Sequence, residues 1–161
     1  MKKEKKGKKR IPEPLKDKDW SGGCAISVPV FKHAVCLFVG TKDGYIRYRR
    51  NSCETNQELI DLCRYIEGEW PRPGEGMMVA PIGMPEILMP CLDATNEEHM
   101  ATLYHEALHA ALFIINKIGA KVGEDGEVLA YLQGYIVKHL LHELREGRHG
   151  TLLPDGTLID C

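Results

Sequence analysis

The spacing of apolar positions changes several times along the chain, and each change predicts an element. Between residues 25 and 50, β-branched and aromatic residues cluster in two runs, 25–39 and 45–48. The Asp43-Gly44 pair between them is a hairpin turn signal, so the region reads as strands. Over residues 54–67 the period lengthens. Leu59, Ile60, Cys63 and Ile66 fall at i, i+1, i+4 and i+7, the stripe of a short amphipathic helix, which Gly68 and the following WPRPGEG end. Residues 77–81 and 86–92 are short apolar segments joined by IGMP and predict a second hairpin. Pro90 places the later segment at a sheet edge, because proline cannot donate to an interior ladder. Thr95-Asn96-Glu97-Glu98 then matches a capping box, and a long helix is expected to about Ile118 with Gly119 as its stop. A second long helix is expected over residues 125–146, with Leu129, Leu132, Ile136 and Leu140 as its apolar stripe. The final residues carry a turn signal at Pro154-Asp155-Gly156, and no internal repeat is visible. Strands followed by two long helices make the expected fold class α+β.

Composition narrows the picture. The 161 residues suit one domain, and 43% hydrophobic residues suffice for a core. The expected organisation is a basic, disordered tail and linker over 1–23, one folded domain over 24–147 and a C-terminal tail over 148–161. The net charge of −2 averages two unlike parts. Residues 1–10 hold seven basic residues and one Glu (+6), and the rest carries 14 basic against 22 acidic residues (−8). A generally basic nucleic-acid binder is therefore excluded, and nucleic acid could be engaged only through the Lys-rich tail. The six cysteines form no CxxC pair, no apolar stretch follows the basic N-terminus, and no run suits a membrane span. Free thiols in a reducing cytoplasm are expected, with Cys36 and Cys63 as small core hydrophobes.

The chemistry lies in the long helix, which contains His105-Glu106-Ala107-Leu108-His109. At about 100° per residue, His109 lies about 40° around the helix from His105 and one turn along it, so both imidazoles can meet one ion. Glu106 lies on the same side, where it can flank a metal and move a proton without ligating. Leu103, Ala107, Ala110 and Ile114 form the opposite apolar stripe, and Leu112 and Phe113 lie close to the histidine side, so a helix buried on most faces is expected. The plainer alternative is a pair of buried histidines hydrogen-bonded to their neighbours. Catalytic zinc needs a third protein ligand. If the next helix runs back antiparallel, Glu127 at its start is the first candidate, and Glu124 and Asp125, nearer the loop, are the next. Tyr131 and Gly134 share the Glu127 face, where Gly134 would permit close helix approach. His139 and His142 lie too far along that helix.

HEALH on one helix, followed by the Glu127-Val128-Leu129-Ala130-Tyr131 run opening the next, resembles the small gluzincin-type zincins, or minigluzincins. It is most similar to uncharacterised HExxH proteins encoded by bacteriophages and prophages. The likeness covers about a third of the chain, residues 85–144. It implies a zincin-like fold, in which a small mixed or antiparallel sheet with an edge strand packs on the HExxH helix and an antiparallel helix follows. It also implies that His105, His109 and Glu127 ligate Zn2+ and that Glu106 is the general base. The family's substrate-aligning edge strand corresponds to residues 86–92. The implied activity is zinc-dependent peptide-bond hydrolysis by Glu-assisted attack of a zinc-bound water, in the host-cell cytoplasm if phage-encoded. The metzincin pattern is absent, since Leu112 stands where its glycine would be. No oxyanion-stabilising His or Tyr matches by motif; Tyr131 is one candidate donor, although a tyrosine there more often packs. A noncatalytic zincin-like binding or assembly module is the alternative function, and a nucleic-acid-associated protease or adaptor working through the lysine tail is a third.

Overall fold

The computed structural model describes residues 22–50, 55–81, 83–120, 126–145, 150–152 and 158–159. The protein is mixed α+β. Residues 1–21 of the expected tail and linker (1–23), the loop residues Glu124 and Asp125, and Cys53 and Cys161 lie outside the described residues, while Gly22 and Gly23, expected as linker, open the first strand.

Strand β1 (Gly22–Val28) pairs antiparallel with β2 (His33–Val39), from Gly22 opposite Val39 to Val28 opposite His33. The reversal uses a short 3-10 turn at Pro29–Phe31 and Lys32 at φ 51, whose amide donates to the Pro29 carbonyl. The single run read at 25–39 is thus itself a hairpin. The run at 45–48 is not a strand: Asp43 and Gly44 lie inside helix α1 (Lys42–Arg50). Thr41 Oγ1 accepts from the Gly44 amide, and the Thr41 carbonyl accepts from Tyr45 N, which starts the helix. Tyr45, Tyr48 and Arg49 then recur at helical spacing toward the sheet, so tertiary burial of that stripe overrides the strand propensity of the tyrosines.

Helix α2 (Asn56–Glu67) starts in a capping box of Thr55 and Glu58. Its buried stripe is Leu62 and Ile66. Ile60 is 44% exposed and Cys63 half-buried, so the stripe is rotated from the expected one. The side chain of Leu59 lies outside the described part.

Strands β3 (Met77–Val79) and β4 (Glu86–Met89) form the expected antiparallel hairpin. The expected edge assignment is corrected: β4 also pairs in parallel with β2, Cys36 to Glu86 through Val39 to Met89, so β4 is interior and β3 is the edge. Pro90 lies one residue past β4 and interrupts no ladder bond. Two short strands, β5 (Gly150–Leu152) and β6 (Leu158–Ile159), come from the expected C-terminal tail, giving the order β3-β4-β2-β1-β5-β6.

Period-2 alternation sends the central strands' side chains to two faces. Val35, Leu37, Val39, Ile87 and Met89, with Cys24, Ile26 and Val28, pack under helices α3 (Glu97–Lys117) and α4 (Glu127–Arg145). Phe38 and Leu88 face the other way, against Tyr45, Leu62 and Ile66 of α1 and α2. Glu86 shares that second face and is 1% exposed. It accepts a 2.7 Å hydrogen bond from Tyr45 Oη, and its Oε1 lies 3.2 Å from Arg49 Nη1. Arg49 Nε is buried with no hydrogen-bond partner among the described residues. Burial pushes the Glu86 carboxyl above its ordinary value, against the opposing pull of Tyr45 and Arg49. Burial also pushes the Cys24 thiol up to about 12 and the Cys36 thiol up to about 11. Cys24, Cys36, Cys63 and Cys91 are all free thiols; Cys36 is buried as expected, whereas Cys63, on α2, is only half-buried rather than in the core.

Asn96, not Thr95, caps α3. Its Oδ1 accepts from Glu98 N (2.9 Å) and His99 N (3.2 Å), while Thr95 is bound to Asp93. Replacing Asn96 with Ala leaves both amides without that acceptor, with an expected loss of about 1 kcal/mol. Thermal unfolding should register a fall of about 2–4 °C, and an unchanged midpoint would show that the cap contributes nothing. At the other end Gly119 adopts φ 69, and the Ala120 amide reaches back to the Ile115 carbonyl, the stop expected there. Among the described residues no helix is long and apolar enough to cross a membrane.

Candidate metal site

The buried face of α3 carries Leu103, Ala107, Ala110, Ala111, Ile114 and Ile115. This places His105 and His109 on the open side, where both are exposed. The expectation of a helix buried on most faces is therefore corrected. Sheet and α4 cover one broad flank and leave the histidine side to solvent, so burial does not oblige these rings to find partners. Their arrangement has a different signature. The two Nε2 atoms lie 3.1 Å apart, with the rings nearly perpendicular at 81° and centroids 4.7 Å apart. Two nitrogens each about 2.0–2.1 Å from one tetrahedral ion would stand about 3.3 Å apart, so the pair presents nearly the bite that zinc takes. In this arrangement the two nitrogens are within hydrogen-bond distance, an N–H of one ring donating to the bare nitrogen of the other.

Glu106 differs from the histidines beside it. It is 6% exposed, and among the described residues no hydrogen bond or ion pair engages it. The backbone of residues 74–76 covers it: Thr102, one turn earlier, donates from Oγ1 to the Gly74 carbonyl at 2.8 Å, and Gly76 lies against the Glu106 stem. This loop was legible in the sequence only as a helix terminator. Two glycines, Gly74 and Gly76, just before an expected strand were the one signal pointing to close backbone approach.

Glu127 is the first residue of α4 and is exposed, with interactions of its own. Helix α4 is tied to α3 near the motif by Gln133, whose Nε2 donates to the Tyr104 carbonyl at 2.7 Å. The structure brings His105 and His109 together but, among the described residues, gathers no third ligand with them. Among the described residues no three His, Cys, Asp or Glu side chains form a metal-holding group. Tyr131 is 76% exposed, and a Cβ built at Gly134 would meet nothing within 4 Å, so the expected close helix approach at Gly134 does not occur. His139 stacks on Tyr135 with centroids 4.1 Å apart, and Tyr135 Oη donates to the Ser27 carbonyl, which anchors α4 to β1.

The donor set therefore fits two imidazole ligands of a zinc ion on an exposed face, with one sheltered carboxylate adjacent in sequence. Comparison with protein-family models, curated proteins and solved structures gave no significant match.

Proposed function

We propose that this protein is a zinc-dependent metallopeptidase of the small gluzincin type. The observation that carries the reading is the 3.1 Å separation of His105 and His109 Nε2 on an HExxH helix whose Glu106 is sheltered. His105 and His109 would hold the ion, and Glu127, exposed in the first turn of α4 and not gathered with them in this structure, would have to move to them on metal binding to serve as the third ligand. When bound, zinc supplies a Lewis acid that polarises the scissile carbonyl and acidifies a water. Glu106 takes a proton from the attacking water and passes it to the leaving amine. An extended peptide lies along the outer edge of the sheet at β3 by strand addition. Since β4 is interior, that task falls to β3.

Metal content tests this reading. After reconstitution and dialysis, native protein is expected to retain about one equivalent of zinc by mass spectrometry, whereas His105→Ala and His109→Ala retain almost none. Glu127→Ala should weaken binding strongly, while Glu124→Ala and Asp125→Ala leave it intact. Native protein that holds no stoichiometric zinc would falsify the proposal. Zinc held without any hydrolysis of a peptide library would favour the noncatalytic module.

A further inference from the structure

We infer that Gly76 is a positioning residue for Glu106, and that the loop over residues 70–76 sets where the proton-carrying carboxylate stands; the inference rests on the metallopeptidase reading. A Cβ added at Gly76 would lie 2.8 Å from Glu106 Cγ and 2.8 Å from Thr102 Cγ2, closer than Cβ atoms approach in real proteins, and 3.5 Å from Glu106 Cδ. The backbone at residue 76 therefore touches the aliphatic stem of Glu106 and stops it from swinging away from α3 on that side.

The loop has little freedom to move aside. Trp70 stacks on buried Tyr45 with centroids 5.8 Å apart, and Pro71 is buried. The Glu75 amide donates to the Arg72 carbonyl at 2.9 Å, and Glu75 Oε2 accepts from Arg72 N at 3.0 Å. Gly74, at φ 88, turns its carbonyl onto Thr102 Oγ1. One residue after Gly76 the chain enters β3, paired from Met77 opposite Leu88. With both ends held, an added methyl group displaces the Glu106 stem before it displaces the loop. The histidines stand apart from this contact: a Cβ at Gly76 has Glu106 and Thr102 atoms as its nearest neighbours. Metal affinity and carboxylate placement are therefore separable.

The test uses the full chain loaded with Co2+, whose visible absorption reports the site, and acetohydroxamic acid as the probe. A carboxylate held where it can take a proton from the attacking water accepts a hydrogen bond from the hydroxamic acid O–H, which takes that water's place, so its displacement weakens the probe without removing the metal. Gly76→Ala is expected to bind Co2+ as native protein does and to bind acetohydroxamate about tenfold more weakly or worse, the loss expected for one hydrogen bond to a charged group. Glu106→Gln should show the same pattern. Adding Thr102→Ser to Gly76→Ala removes the Thr102 methyl group and keeps its hydroxyl, so the new Cβ can shift away from Glu106 and probe affinity should recover. Native affinity in Gly76→Ala, with weakened affinity in Glu106→Gln, overturns the inference and leaves the metallopeptidase reading standing. Native protein that binds no Co2+ overturns that reading itself. One measurement needs no variant: nuclear Overhauser contacts between Gly76 Hα and Glu106 Hγ are expected in the native protein, and their absence would also overturn the inference.

Discussion

Replacing Arg49 with leucine is expected to destabilise the fold by about 3–5 kcal/mol near neutral pH, the usual cost of leaving one member of a buried ion pair uncompensated. Glu86 is 1% exposed and Arg49 2%, so solvent cannot substitute for the missing guanidinium. The Tyr45 hydroxyl would remain as the one hydrogen-bond donor to Glu86 among the described residues. The loss should depend on pH in a defined direction. Burial already holds the Glu86 carboxyl above its ordinary value of 4.5, so the folded state binds this proton more tightly than the unfolded chain does. The stabilisation from that proton is full below the unfolded value and is lost as pH rises through the higher folded value. In native protein Arg49 opposes the upward shift and limits the loss. Without Arg49 the carboxyl titrates higher still, and the cost of ionising it falls on stability. Thermal unfolding from about pH 5 to about pH 8 should show the gap between native and Arg49→Leu proteins widening with pH. A constant gap would show that Glu86 is not the group responsible.

The other large effect concerns the site. Glu106→Gln is expected to lower peptide hydrolysis by about 10²–10⁴-fold while leaving zinc content unchanged, because an amide cannot carry the proton and is not a proposed ligand. Glutamine nearly matches glutamate in shape, so the stem can still lie against Gly76 and fold stability should change little. The comparison needs any member of a quenched-fluorescent peptide library that native protein cleaves, assayed at matched metal content. Equal rates in the two proteins would remove Glu106 from the mechanism. Reduced zinc in the variant would instead make Glu106 part of the metal shell.

The parts of the fold legible in the sequence were those decided within a few residues. The α3 stop at Gly119 follows from a positive φ that glycine adopts freely, and the β3–β4 hairpin follows from two apolar runs around a Gly- and Pro-containing turn. The misreadings arose where an element's identity depended on distant partners. Tyr45 and Tyr48 suit a strand by propensity, but Phe38, Leu88 and Glu86 offer a surface that a helical stripe covers, and Asp43-Gly44 then starts a helix rather than a turn. Pro90 argued for an edge strand because its distance from the last ladder bond could not be read without the β2–β4 register.

The candidate site divides the same way. His105 and His109 come together because four residues are one helical turn, and that geometry depends on nothing outside α3. The contrast between exposed histidines and sheltered Glu106 is tertiary: it arises because residues 74–76, some thirty positions earlier, cross the helix at Thr102 and Glu106. The helix, its His pair and the chemistry such a pair can support follow from residue order alone, since they rest on local backbone periodicity. Which flank of that helix faces water, which strand is the edge, and the contact of Gly76 with Glu106 emerge only on folding, because each depends on burial between segments far apart in the chain.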